Sequence, residues 1–327
     1  MATTLDLVGA RRMLLDREEL LASGRTEREL HSLVASGEIV RVRRGRYVDG
    51  ADWRGLWNEG RHLLRVVAFH ANSSGDGPVF CGPSAAALHG LPLYRFAPPD
   101  VHVLIRTRRH GRRRAGAILH SSRIPEADIV DVDGIRCTSL DRTVLDVACT
   151  TAPETGVSIA DAALRREAVI GQTQDAERHR AWHQRMKARG ACTSIRGIRR
   201  ARSVIAFADG RAQLPGESVS RLHLYRLGYR NIDLQVPVVG SAGNPYWMDF
   251  AFPGAQVFGE FDGRDKYVDL ALTGGRSAED VVLAEKRRED DVRGVTGWRT
   301  IRWGSEHLVT ADVLSARLRA FGLRPPG

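Results

Sequence analysis

Between residues 14 and 48 the chain reads LLDREELLASGRTERELHSLVASGEIVRVRRGRYV. Leu14, Leu15, Leu20 and Leu21 recur at helical spacing before Ser23-Gly24, which predicts a first helix and its stop. Thr26 with Glu29 three residues later forms a capping-box signature for a second helix, whose apolar face is Leu30, Leu33 and Val34 and whose C-terminus Gly37 can cap. Apolar and basic residues then alternate over 39–43 and 46–48 on either side of Arg44-Gly45, which predicts a short hairpin. A second hairpin is predicted far downstream, where the runs from Tyr246 to Phe252 and from Gln256 to Phe261 flank Pro253-Gly254. A turn centred between Gly254 and Ala255 sets Asp249 opposite Glu260 and Trp247 opposite Asp262. Because side chains alternate along a strand, Asp249, Glu260 and Asp262 are expected on one face, with Met248, Phe250, Phe252, Val257 and Phe261 on the other. Around this hairpin, LPGESVSRLHLYRLGY predicts a preceding helix with Glu217 at its start. Ser277 and Asp280 predict a capping box for a charged helix through VVLAEKRREDDV, and WRTIRW follows Gly297 as a strand.

Three acids on one face of a strand pair change the picture from architecture to chemistry. Cross-strand neighbours lie about 5 Å apart, where like charges destabilise, so the face needs a shared proton, a basic partner or a cation. A divalent metal answers that need; neutralisation by Arg and Lys answers it equally well in physical terms.

Composition supplies a partner. The 327 residues allow two or three domains of about 100–200 residues each. They carry 49 Lys and Arg against 39 Asp and Glu, a formal charge of +10 that suits a polyanion such as nucleic acid. Helix, turn, helix and basic hairpin is the plan of a winged helix. In that plan Arg25, Arg28 and His31 reach into the major groove, while Arg41, Arg43, Arg44 and Arg46 meet phosphates. A second basic element, RTRRHGRRR, places Arg106, Arg108, Arg109, Arg112, Arg113 and Arg114 around a Gly turn, read as a DNA-gripping hairpin tip or a solvated loop. The Arg-rich stretch from Gln172 to Arg202 is expected to be helical. Cys81, Cys137, Cys149 and Cys192 form no C-x-x-C pair, which argues against a zinc finger or a disulfide framework. With no apolar run near the roughly 18 residues of a membrane span and no signal-peptide pattern, the expectation is a cytoplasmic protein with no membrane partner.

Two resemblances sharpen these expectations. CGPSAAALHGLPLY, VHVLIRT, ILHSS and GIRCTSLDRTVLDVAC, read with the N-terminal pattern, resemble the AbiEi-like antitoxins of actinobacteria over about residues 10 to 150. That resemblance implies a winged helix followed by an α/β domain, with DNA and a cognate toxin as partners. Ser84 reads here as a helix cap rather than a nucleophile, and His89 as structural. From about 214 to 308, the E-S, D-F-A, G-E-F-D-G, E-K-R-R-E-D-D-x-R and G-W-x-x-x-R-W motifs resemble very-short-patch-repair-like and restriction-endonuclease-like nucleases. The resemblance implies that Asp249 and Glu260 hold Mg²⁺ (or Mn²⁺), with Glu217 as an outer carboxylate. That group's usual Lys two residues after the Glu is replaced by Asp262. Lys266 supplying the missing amine, Asp262 acting as a further ligand, and a fold retained only for binding all stay open.

The expected fold class is therefore α+β multidomain. It comprises a winged helix over 1–50, an α/β domain with the Arg-rich hairpin over 51–170, a basic helical linker over 171–213, and a restriction-endonuclease-like α/β sandwich over 214–327. The expected function is metal-dependent DNA cleavage in repair or phage defence; the alternative is a non-catalytic antitoxin-like repressor.

Overall fold

The computed structural model describes residues 5–105, 113–114, 116–121, 124–192, 195–263 and 278–326. It is a mixed α/β chain that divides into two units, Met1–Ile159 with Arg185–Ala206, and Ala160–Gln184 with Phe207–Gly327. Among the described residues no helix is long and apolar enough to cross a membrane.

The first unit opens with α1 (Leu7–Met13), β1 (Leu15–Asp16), α2 (Arg17–Ala22), α3 (Glu27–Ser36), β2 (Ile39–Arg43) and β3 (Arg46–Asp49). The capping box at α3 is formed as the sequence predicts, Thr26 accepting from the Glu29 amide and Glu29 reaching back, and Gly37 ends the helix at φ 76°. The first predicted helix starts later than its leucine pattern suggests. Leu15 pairs with Tyr47 as a strand, because Asp16 caps α2 with its own box and cannot lie inside it. Strand order is β1-β3-β2. Leu20, Leu30, Ile39 and Tyr47 close a small core beneath α3.

The unit continues through α4 (Gly50–Arg54), α5 (Asn58–Ala71), β4 (Val79–Phe80), α6 (Gly82–Leu88), β5 (Val101–Ile105), β6 (Arg113–Arg114), β7 (Ala117–Ser121), β8 (Ile129–Val132), β9 (Ile135–Thr138) and α7 (Leu140–Thr150). The six strands run in the order β6-β7-β5-β4-β9-β8. Two findings depart from expectation. Strands β5 and β7 are parallel, so the Arg-rich stretch is not the tip of a hairpin joining them; the antiparallel partner of β7 is β6. Leu7, Ala10 and Val48 share one core with Leu63, Phe80 and Ile135, so the first fifty residues and the α/β segment fold around common apolar contacts.

Helices α8 (Pro153–Ala168), α9 (Ala176–Cys192) and α10 (Ile198–Phe207), with the small strands β10 (Val169–Ile170) and β11 (Thr173–Gln174), follow. The second unit then takes the order α11 (Pro215–Arg226), β12 (Asp233–Val239), β13 (Pro245–Phe252), β14 (Val257–Asp262), α12 (Ala278–Thr296), β15 (Arg299–Gly304) and α13 (Ala311–Ala320). Its sheet runs β12-β13-β14-β15, antiparallel except for the β14–β15 pair. The predicted register holds where the β13–β14 ladder is formed, Phe250 facing Gly259 and Phe252 facing Val257. Val238, Met248, Ala251 and Phe258 pack with Val292 of α12. Trp303 packs on Phe250 and donates its indole N–H to Ser220 Oγ of α11 at 2.8 Å. Ser277, half of the capping box expected at α12, lies outside the described residues.

Candidate functional site: buried carboxylates and an exposed basic surface

Glu217 owes its place to a close helix–strand approach. Pro215 occupies the first turn of α11, and Gly216 lies so near Phe261 of β14 that a Cβ there would come 2.1 Å from the ring. The next side chain, Glu217, is 3% exposed and accepts the Gln213 amide at 2.8 Å. An acid in a helix's first turn is favoured by the helix dipole alone. A second partner sets this one apart: Gln235 Nε2 donates to Glu217 at 3.1 Å and to Asp249 Oδ1 at 3.3 Å. Gln235 Oε1 accepts from Gln213 Nε2 at 2.8 Å, which fixes the orientation of the amide. Gln235 holds φ at 50°, the left-handed region that costs a residue with a Cβ about 1–2 kcal/mol, and the β12–β13 ladder skips it. Asp249, 9% exposed, also accepts the Phe261 amide on Oδ2 at 2.9 Å. One amide nitrogen thus joins carboxylates from α11 and β13.

Glu260 has a different environment. It is 6% exposed, and its oxygens meet Arg288 of α12 at 2.6 Å and Arg302 of β15 at 2.8 Å. Arg302 also pairs with Asp262 at 3.6 Å, and both arginines pair with Glu285. Burial pulls both guanidinium pKa values down, but Glu260 and Glu285 outweigh it and leave both raised. Burial pushes the Glu285 carboxyl up, and the two arginines overcome it and hold the group below its ordinary value. Arg288 further donates to the Trp247 carbonyl at 2.9 Å, which anchors it to β13.

The three-acid face expected of the hairpin is accordingly corrected. Asp249 turns its carboxylate to the Phe261 amide and to Gln235, while Glu260 and Asp262 turn to Arg302. The β13–β14 pairing ends at Phe250–Gly259, so Asp249 and Glu260, although each lies within its strand, are not a paired cross-strand couple. Among the described residues, no group of three or more His, Cys, Asp or Glu side chains is arranged to hold a metal ion, so Asp249, Glu260 and Asp262 are not such a set. Two other carboxylates, Glu217 and Asp249, are buried and drawn to one amide nitrogen. Mg²⁺ is typically held by one or two carboxylates, with water and substrate phosphate completing its shell. Lys266 lies outside the described residues. Sequence reasoning missed Gln235 and Arg302: Gln235 sits in a strand whose Pro237 weakens the strand signal, and Arg302 becomes a partner only through parallel β14–β15 pairing.

The basic candidates also separate. On α3, Arg28 and His31 are exposed one turn apart, and Arg25 is exposed beside the Ser23 hydroxyl at 2.8 Å. Arg41 and Arg44 are exposed, whereas Arg43 stacks over the Phe69 ring at 4.0 Å and Arg46 pairs with Asp16. Of the Arg-rich stretch, Arg113 and Arg114 form β6, and Arg106, Arg108, Arg109 and Arg112 lie outside the described residues. Ser84 does not cap its helix, since Cys81 holds that position. Its buried hydroxyl instead meets His62 Nε2 at 2.9 Å and accepts the His102 amide at 2.8 Å. Burial drives the His62 pKa down to about 3. His89 contacts the Thr138 carbonyl at 2.8 Å.

No family model matches the chain. A protein of Mycobacterium tuberculosis described as uncharacterised, matched in strains CDC 1551 and H37Rv, is 29% identical over 239 residues, covering 72% of this chain and 78% of that protein.

Proposed function

We propose that the chain is a DNA-binding protein whose second unit is a metal-dependent deoxyribonuclease centre built on Glu217 and Asp249. The observation that carries this reading is the shared Gln235 amide: two carboxylates, each less than a tenth exposed, come from separate elements and are held by one neutral side chain. Burying anionic groups is costly, and here Gln235 acts alongside the Gln213 and Phe261 amides and the nearby Arg165 guanidinium, which interacts with Glu217. A divalent cation bound there would polarise the scissile phosphate and lower the pKa of an attacking water. In this reading Glu260 and Glu285 hold Arg288 and Arg302 in ion pairs that join α12 and β15 to the sheet, a supporting role rather than a phosphate contact. Residues 15–49 act as a winged helix that brings the chain to duplex DNA, α3 entering the major groove with Arg28 and His31.

One observation favours a second reading. Both oxygens of Glu260 are already taken by arginines, as they would be in a nuclease-like fold retained for binding and used by an antitoxin-like repressor. Calorimetric titration with Mn²⁺ separates the two. The nuclease reading expects binding by the wild type that weakens at least about tenfold in Asp249→Asn and in Glu217→Gln, each of which replaces an anionic ligand with a neutral amide. Absence of binding by the wild type supports the repressor.

A further inference from the structure

The four arginines of the β2–β3 hairpin are not equivalent. Gly45, at φ 75°, forms the tip. The tip is held at three consecutive residues: Asn72 Nδ2 donates to the Arg44 carbonyl at 2.8 Å, Arg17 N donates to the Gly45 carbonyl at 3.0 Å, and Arg46 Nε donates to Asn72 Oδ1 at 3.0 Å. Asp16, the cap of α2, pairs with Arg46 from the neighbouring strand. Arg43 lies against the Phe69 ring of α5, with its guanidinium 3.3 Å from where a Cβ on Gly116 would stand. Burial lowers the Arg43 pKa, as expected of a cation drawn from water toward an aromatic face. Arg41 and Arg44, by contrast, are exposed, and their side chains make no hydrogen bond or ion pair among the described residues.

Resting on the DNA-binding reading, we infer that Arg41 and Arg44 are the hairpin's phosphate contacts, and that Arg43, Arg46 and Asn72 are positioning residues that fix the hairpin's attitude. A guanidinium already committed to a carboxylate or a ring must give up that partner to reach a phosphate. A free one has no such loss, and a tip already held in place spends less ordering entropy on binding. Asn72 has the central part because its single amide engages both sides of the tip from the end of α5.

The test is fluorescence anisotropy with a labelled 20-base-pair duplex of arbitrary sequence across a KCl series. Removing one guanidinium that neutralises a phosphate should flatten the plot of log affinity against log salt by about 0.9. Arg41→Ala and Arg44→Ala should each approach that value, and Arg43→Gln should leave the slope near the wild type. Asn72→Ala, with a retained circular-dichroism spectrum, should weaken binding several-fold at fixed salt although no charge is removed. Equal flattening by Arg43→Gln and Arg44→Ala would overturn the division, as would an unchanged slope in both Arg41→Ala and Arg44→Ala. A wild type that binds no duplex even at low salt would overturn the DNA reading itself, a result distinguishable from either of those.

Discussion

Gln235 carries the most weight at the scale of a single residue. It occupies a backbone conformation that Gly would adopt without strain, it is buried, and its amide nitrogen donates to two carboxylates. Gln235→Leu removes those donors while keeping a side chain of similar bulk. It should destabilise the metal-free protein by about 2–3 kcal/mol, the range for leaving buried charged groups short of hydrogen bonds. If Glu217 and Asp249 share a cation, Mn²⁺ should restore part of that loss, because a ligand that binds only the folded state stabilises it by mass action. Thermal melts with and without Mn²⁺ measure both quantities. A deficit unchanged by Mn²⁺ would mean that the amide serves packing alone. The residue scale is also where the sequence is least informative: nothing local to Leu234-Gln235-Val236 signals a partner in α11 or β13.

At the scale of elements, legibility follows the range of the interactions. The α3 capping box and the Gly37 stop depend on residues within one turn, and both are formed as the sequence predicts. The β13–β14 register follows from the Pro253-Gly254 turn, and it too is as predicted. Strand β12 was not legible: Pro237 interrupts its pattern, yet an edge strand tolerates a missing amide hydrogen. The orientation of Asp249 was not legible either, since it depends on where the ladder ends. The α12–β15 ion network yields a prediction at this scale. The arginines hold the Glu285 carboxyl below its ordinary value of 4.5, so its contribution to stability is fully present above that pH and is lost as pH falls through the lower folded value. Melting temperatures measured from pH 6 to pH 3 should fall more steeply in the wild type than in Glu285→Gln, which cannot titrate there. Parallel curves would show that the network contributes nothing that depends on this carboxylate.

For the whole molecule, the sequence's four segments became two units, because pairing between distant residues cannot be read from local pattern. Leu7 and Val48 meet Leu63 and Ile135 in one core, which places the proposed wing and the α5 residues that hold it in the same unit. Mixed α/β content and the basic balance were legible from periodicity and composition, but composition could not show that the +10 charge falls wholly on the first unit, the second carrying as many acidic as basic side chains. On this account the first unit supplies attachment to duplex DNA and the second supplies hydrolysis, so the two activities should separate by mutation. Asp249→Asn should bind a labelled duplex as tightly as the wild type or tighter, since it lowers the negative charge near the phosphate. The most direct measurement is cleavage of end-labelled single-stranded, duplex and mismatched DNA by purified protein with Mg²⁺ or Mn²⁺, run beside Asp249→Asn and Glu217→Gln. The account predicts metal-dependent cutting by the wild type that falls by at least about a hundredfold in both variants while DNA binding persists. Wild-type protein that binds DNA but cuts none of the three with either metal, or cutting that survives in both variants, would contradict it.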